Sequence, residues 1–207
     1  QLAKKNTVEI YCTNPLKKQF YEVTMDGVKI KCFPAYAPSE IYFFSPSLYR
    51  ALKQVDADVI HAHGYQAYPL LASASAKACN KIPLVVTPHI GFSKVPKLIY
   101  EVFYNPIFGK QIFNRADYIV IISKNELEEI PQIKKYKDKV VWIPSGINFD
   151  RVNQFYQDNK RETSEIRIIY AGRIEKNKGI QYLLQALCRI RQSNNVKLLI
   201  VGEGPFA

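Results

Sequence analysis

An arginine and a lysine five positions apart, Arg173 and Lys178, follow an Ala171-Gly172 step. Ahead of them runs an apolar β-branched segment (Ile166, Ile168, Ile169). Behind them Ile180, Leu183, Leu184, Leu187 and Ile190 recur at the spacing of a helix face. The segment therefore predicts strand, short loop, helix. Such a loop gathers a glycine, a guanidinium and an ammonium around a helix N-terminus, where unpaired backbone N–H groups and the helix dipole favour an anion. A phosphate or diphosphate fits that chemistry. After a polar break at Ser193-Asn194-Asn195, residues 196–201 (VKLLIV) read as a second buried strand that runs into Gly202-Glu203-Gly204-Pro205. Two parallel strands joined by a helix form a βαβ unit, and ligands bind beyond the carboxyl ends of its strands. Taken alone, Gly202 and Gly204 are a tight turn. Beside Arg173 and Lys178 they complete a candidate anion cradle with Gly172.

The chain has three histidines, all in its amino-terminal part: His61, His63 and His89. His61 and His63 lie two apart at a strand end and so share one face. A metal site would need a third ligand, and no carboxylate or cysteine stands at a suitable spacing, so no metal is expected. One of the two reads as a packed structural histidine. His63, beside Gly64 at the carboxyl end, is the better candidate for a cleft. His89 follows the apolar run 84–87 and faces the same sheet edge. Its imidazole could be functional or structural on position alone.

These residues need a scaffold. Runs 8–12, 28–33, 58–62, 84–87, 118–122 and 140–143 read as short strands; 47–55, 68–79, 96–113 and 124–136 read as helices. Ser123 with Glu126 forms a capping box that starts the last of these helices, and Pro131 must kink or split it. Alternating strands and helices predict an α/β fold with a doubly wound parallel sheet. The polar span 148–164 reads as a linker. It separates a first domain, 1–147, from the start of a second, 165–207.

At this point a family resemblance emerges. AGRIEKNKGIQYLLQAL followed by LLIVGEGP resembles the donor-domain opening of the group-1, family 4 retaining glycosyltransferases, whose pattern is G-R-(L/I)-x-x-x-K-G, a helix, then V-G-x-G-P. Upstream, Asp58-Val59-Ile60-His61-Ala62-His63-Gly64 is similar to that family's D-V-(I/V)-H-x-H segment. Residues 81–89 resemble its x-(I/V)-P-x-V-x-T-x-H strand, and 116–123 its A-D-x-(I/V)-(I/V)-x-x-S strand. Trp142-Ile143-Pro144-Ser145-Gly146-Ile147-Asn148 is similar to I-P-N-G-(V/I)-D, with Ser145 and Asn148 where the family has Asn and Asp.

The resemblance implies the GT-B type, two facing Rossmann-like domains with a cleft between them: an acceptor-side domain and the first βαβ unit of a nucleotide-sugar donor domain. It also implies a fragment that lacks the first strand and most of the donor domain and is inactive alone. The expected reaction is transfer of a sugar, hexosyl or related, with retention of anomeric configuration. The donor would be a UDP-, GDP- or ADP-linked sugar and the acceptor a sugar or a lipid-linked molecule, in glycan, glycolipid or cell-envelope biosynthesis. Arg173 and Lys178, with Gly172, Gly202 and Gly204, would hold the donor diphosphate without a metal. His89 would face the donor sugar, and His63 and Gly64 would line the acceptor side. No cofactor is expected beyond the donor. A sugar phosphorylase or an epimerase on the same fold, or a catalytically silent partner subunit, would share many of these residues.

Composition sets outer bounds. The 207 residues are 47% hydrophobic, enough for a sizeable core, and no run of about 18 apolar residues is present. Cys12, Cys32, Cys79 and Cys188 show no C-x-x-C pairing, which predicts reduced, packed thiols and a cytoplasmic setting. The net charge of +11 admits nucleic acid, an anionic membrane surface or phosphorylated substrates. No zinc-finger, homeodomain or RNA-recognition pattern occurs, so no nucleic-acid partner is expected. The Lys134–Lys139 cluster reads as a solvated helix end. Residues 92–113 mix aromatics with Lys94, Lys97 and Lys110; they suit either a core helix or a peripheral contact with the inner membrane face.

Overall fold

The alternation of short β-branched runs with helical spacing is realised in the computed structural model, which describes residues 2–36, 44–89, 100–158, 166–190 and 196–206. The chain divides into two compact units, Gln1–Gly146 and Ile147–Ala207.

The first unit holds two sheets. In one, β1 (Glu9–Asn14) and β3 (Val28–Pro34) are parallel, and β2 (Tyr21–Met25) runs antiparallel on the outer side of β3. Strand β2 was not expected from the sequence. Its signal was the Asp26-Gly27 pair, whose φ values of 49° and 76° are both left-handed. Two such residues make the hairpin turn that matches strand twist, and Asp-Gly supplies it. The register sets Cys12 directly opposite Cys32, with their sulfurs 3.1 Å apart. All four cysteines are free thiols. Cys32 is buried as expected, but Cys79 and Cys188 are exposed, because each lies on the outward side of its helix.

The other sheet is fully parallel, ordered β4 (Ile60–His63), β5 (Leu84–Thr87), β6 (Tyr118–Ile121), β7 (Val140–Trp142). Helix α1 (Pro46–Gln54) starts at Ser45, whose hydroxyl accepts from the Leu48 amide. It packs on α2 (Tyr68–Asn80), and Phe33, Leu48, Leu52 and Tyr68 make the core between them. A larger core joins α2, β5, β6 and the short α3 (Lys110–Arg115) through Leu70, Leu84, Val86, Ile112, Phe113 and Ile119. The segment Tyr100–Gly109 winds as a wider π-type helix into α3. Residues 90–99, and so Lys94 and Lys97, lie outside the described residues. No described helix is long and apolar enough to cross a membrane.

The predicted helix 124–136 is split. Only α4 (Glu126–Glu129) is α-helical; Ile130 leaves helical geometry and Pro131–Lys139 continues as a 3-10 turn, as a proline without an N–H requires. The capping box is rearranged: the Ser123 hydroxyl accepts from the Asn125 amide, and the buried Glu126 carboxylate accepts from the Ile122 amide. The lysine cluster is occupied locally. Lys134 pairs with Glu128, and Lys139 donates to the carbonyls of Phe113, Asn114 and Ala116 at the end of α3.

In the second unit, α5 (Phe149–Asp158) is a helix inside the span read as linker. It is followed by β8 (Ile166–Ala171), α6 (Ile180–Ile190) and β9 (Val196–Val201). Strands β8 and β9 are parallel from Ile166↔Val196 to Ala171↔Val201, the expected βαβ unit. Strand β9 is largely exposed and not buried as its apolar run predicts, because among the described residues it pairs with β8 alone.

Candidate functional site

The functional candidates fall on the carboxyl edge of each unit's parallel sheet. In the second unit, the loop after β8 and the loop after β9 are bonded backbone to backbone. Gly172 N–H donates to Val201 C=O (3.0 Å), Ile174 N–H to Glu203 C=O (2.9 Å), and Phe206 N–H to Ile174 C=O (3.1 Å). The glycines allow this closeness. A Cβ on Gly202 would stand 1.9 Å from the Gly172 carbonyl oxygen, and one on Gly204 would stand 2.2 Å from that of Ile174. Both glycines therefore have a packing role that spacing could not reveal.

Arg173 sits on this locked loop. Its backbone carbonyl accepts from the Tyr170 hydroxyl (2.8 Å), while its guanidinium is largely solvent-exposed and 2.6 Å from the Glu175 carboxylate. Lys178 is exposed in the 3-10 turn Lys176–Lys178, which Gly179 ends in the left-handed conformation, φ +73°, before α6 starts. Both cations thus flank the entry to α6. Glu175 is the member of this site that sequence reading missed. Its signal was the carboxylate two positions after Arg173.

In the first unit the fold brings all three histidines together. On β4, Ala62 points into the core while His61 and His63 share the exposed face. The ladder between β4 and β5 continues past the strand ends: Gly64 N–H donates to Thr87 C=O (3.1 Å) and Tyr65 N–H to Pro88 C=O (2.7 Å). These bonds draw the turn after β4 against the residues after β5. Gly64 has φ +84°, a conformation suited to glycine. Tyr65 anchors the turn from below. It is buried, its hydroxyl donates to Asn105 Oδ1 (3.0 Å), and its carbonyl accepts from the Tyr104 hydroxyl (2.5 Å).

His63 Nδ1 lies 2.8 Å from His89 Nε2, and His61 Nε2 lies 2.8 Å from the buried Thr87 hydroxyl. The His61 and His63 ring centres are 4.2 Å apart. His61 thus has the structural partner expected of one member of the pair, and His63 reaches the other candidate. His89 has φ +49°, a left-handed geometry that costs a non-glycine residue about 1–2 kcal/mol. Desolvation by the surrounding protein, then the neighbouring imidazoles His61 and His89, push His63 down to about 4. Desolvation and His89 also lower His61. Both rings are therefore neutral at physiological pH, each with one donor and one acceptor nitrogen. Among the described residues, no three His, Cys, Asp or Glu side chains converge to hold a metal ion.

Comparison with known proteins follows the same division. Residues 1–151 match the family profile described as Glycosyltransferase Family 4, and residues 165–207 match that of Glycosyl transferases group 1. An uncharacterized glycosyltransferase of Methanocaldococcus jannaschii is 25% identical over 95% of this chain and 54% of its own length. The O-antigen chain mannosyltransferase C of Escherichia coli is 30% identical over 79% of this chain and 43% of its own length. The chain thus spans about half the length of these relatives. Among solved structures, a trehalose-6-phosphate synthase studied for glycosyltransfer with retention aligns with a TM-score of 0.63 at 11% identity. That alignment covers 99% of this chain and 60% of the other. The likeness identifies the fold as GT-B.

Proposed function

Because the chain belongs to glycosyltransferase family 4, we propose that the protein of which it forms part transfers a sugar from a nucleotide-sugar donor to an acceptor hydroxyl with retention of anomeric configuration. The observation that carries this reading is the exposed pair Arg173 and Lys178 on a loop locked by Gly172, Gly202 and Gly204, at the carboxyl edge of β8 and β9. Loss of a nucleoside diphosphate develops negative charge on the bridging oxygen. Preorganised cations aimed at that charge are worth ~2.7–4 kcal/mol for a single donor. A loop whose backbone is already bonded needs little further ordering when the diphosphate arrives. Glu175 holds the guanidinium in readiness and exchanges its place with the phosphate.

On the first unit, His89 is proposed to contact the transferred sugar, and His63 and Gly64 to line the acceptor side. A mannosyltransferase among the relatives supports a hexosyl donor, and a synthase studied for glycosyltransfer with retention among the fold neighbours supports retention. Of the two expected acceptor classes, sugar and lipid-linked, the +11 charge favours a lipid-linked acceptor met at an anionic inner membrane face.

The test is release of nucleoside diphosphate by the full-length protein across a panel of UDP-, GDP- and ADP-sugars, with Arg173→Ala and Lys178→Ala in parallel. Release from one donor, reduced by roughly 100-fold or more in each variant, is the expected result. Near-normal release in both variants would overturn the assignment.

A further inference from the structure

The contact between His63 and His89 is more than proximity. The distance between ring centres is 5.1 Å, the rings are 16° from parallel, and the two nitrogens are 2.8 Å apart. The 2.8 Å contact plus the two short distances from ring centre to nitrogen make up the whole centroid separation. Both nitrogens therefore lie close to the line between the centres. That is the geometry of an in-plane N–H···N hydrogen bond, not of stacked faces.

We propose that His63 is the positioning residue of His89: it holds the His89 ring in one plane and couples its tautomer, so that His89 offers its remaining nitrogen, Nδ1, to the ligand in a defined state. This proposal rests on the reading of His89 as a sugar contact. Two neutral imidazoles joined through these atoms have two arrangements. If His63 Nδ1 carries the proton, His89 Nε2 accepts it and His89 Nδ1–H is a donor. If His89 Nε2 carries it, His63 Nδ1 accepts and His89 Nδ1 is an acceptor. Among the described residues, His63 is the hydrogen-bond partner that sets the His89 tautomer.

The surroundings favour the coupling. The groups that act electrostatically on His63 are His61, on its own strand, and His89, beyond the adjacent strand. From β5 the polar neighbour of this cluster is the Thr87 hydroxyl, which His61 occupies. Protonating His63 together with either neighbour would place like charges 4.2 or 5.1 Å apart, measured between ring centres. The bonds from Gly64 to Thr87 and from Tyr65 to Pro88 fix the backbone on which both rings stand.

Imidazole nitrogen NMR on the chain tests this directly, because only three histidines contribute and His61→Gln, His63→Ala and His89→Gln assign them. In the unsubstituted chain the His63 and His89 rings are expected to share one tautomer, both Nδ1–H or both Nε2–H. Either arrangement keeps the N–H···N bond and a mixed pair loses it, a preference of roughly fivefold or more on the scale of one hydrogen bond. His63→Ala should bring His89 close to the solution tautomer ratio. His63→Asp places an acceptor-only carboxylate at the position of Nδ1 and should drive His89 to the Nε2–H tautomer. Amide spectra of each variant verify that the fold is kept. A His89 tautomer ratio that is the same in all three chains would overturn the proposal. The readout needs no turnover, so absence of glycosyl transfer would overturn the functional reading while leaving this measurement decisive.

Discussion

The carbonyl oxygen of Gly172 occupies the place where a side chain on Gly202 would begin, 1.9 Å from an ideal Cβ. The two glycines therefore define one structural unit, the joined loops after β8 and β9, on which Arg173 is displayed. The neighbouring atom is backbone, held by the Gly172 to Val201 bond, so it cannot move aside cheaply.

Gly202→Ala is accordingly expected to destabilise the second unit by about 2–4 kcal/mol, the range of overpacking against an unyielding neighbour. Gly27→Ala is the control: its Cβ would meet nothing, and only the φ of +76° would cost, about 1 kcal/mol. Hydrogen exchange of the β8 and β9 amides in Gly202→Ala, and of the β2 and β3 amides in Gly27→Ala, measures the two costs. An equal loss of protection in both would contradict the packing role.

Asp117 offers a second test. Its carboxylate accepts from the Leu84 amide at 2.6 Å and pairs with Lys77, and its own N–H donates to the Leu84 carbonyl at 2.8 Å. It joins the starts of β5 and β6, at the edge opposite the histidines. Asp117→Ala should destabilise the first unit by about 1–2 kcal/mol, read from its denaturation midpoint, less than a fully buried charged hydrogen bond because the carboxylate is partly exposed. The histidine tautomers should stay as they are. A change in those tautomers would show that the substitution disturbs more than this joint.

The histidine cluster makes stability depend on pH. His63 and His61 are lowered in the folded chain relative to the ordinary histidine value near 6.5. Over the interval between the folded and unfolded values, the unfolded chain binds more protons. The contribution is thus complete above about 6.5 and is lost as the pH falls towards 4. The first unit should therefore weaken as the pH falls from about 6.5 towards 4. Denaturation midpoints of His63→Asn across that range should form a flatter profile than those of the unsubstituted chain. Superimposable profiles would remove His63 as the source.

The thiols should separate into two classes. Cys79 and Cys188 are exposed, whereas Cys32 is buried and burial, with the Cys32 contact, pushes the Cys12 thiol up to about 11. The thiolate is the reacting species. A chromogenic disulfide reagent at pH 8 is expected to modify two thiols promptly, and the other two only on unfolding. Four equal rates would contradict the Cys12 to Cys32 arrangement.

Much of this protein can be read from one dimension, because the signals are local. The run of β-branched residues before Gly172 and the helical spacing of Ile180, Leu183, Leu184 and Leu187 specify β8 and α6 through backbone preference and residue periodicity. The strand Leu84–Thr87 and the break at Pro131 are equally local. What lies between distant positions is not encoded in spacing. His63 and His89 are 26 residues apart, and their bond exists because two parallel strands bring their carboxyl ends side by side. Cys12 faces Cys32 because β1 and β3 pair in that register, with an unanticipated hairpin strand between them in the chain. Gly202 and Gly204 carry the same lesson. Sequence marks them as turn or ligand residues, but the requirement for hydrogen in place of a side chain comes from the backbone of another loop, brought to within van der Waals distance by the pairing of β8 with β9.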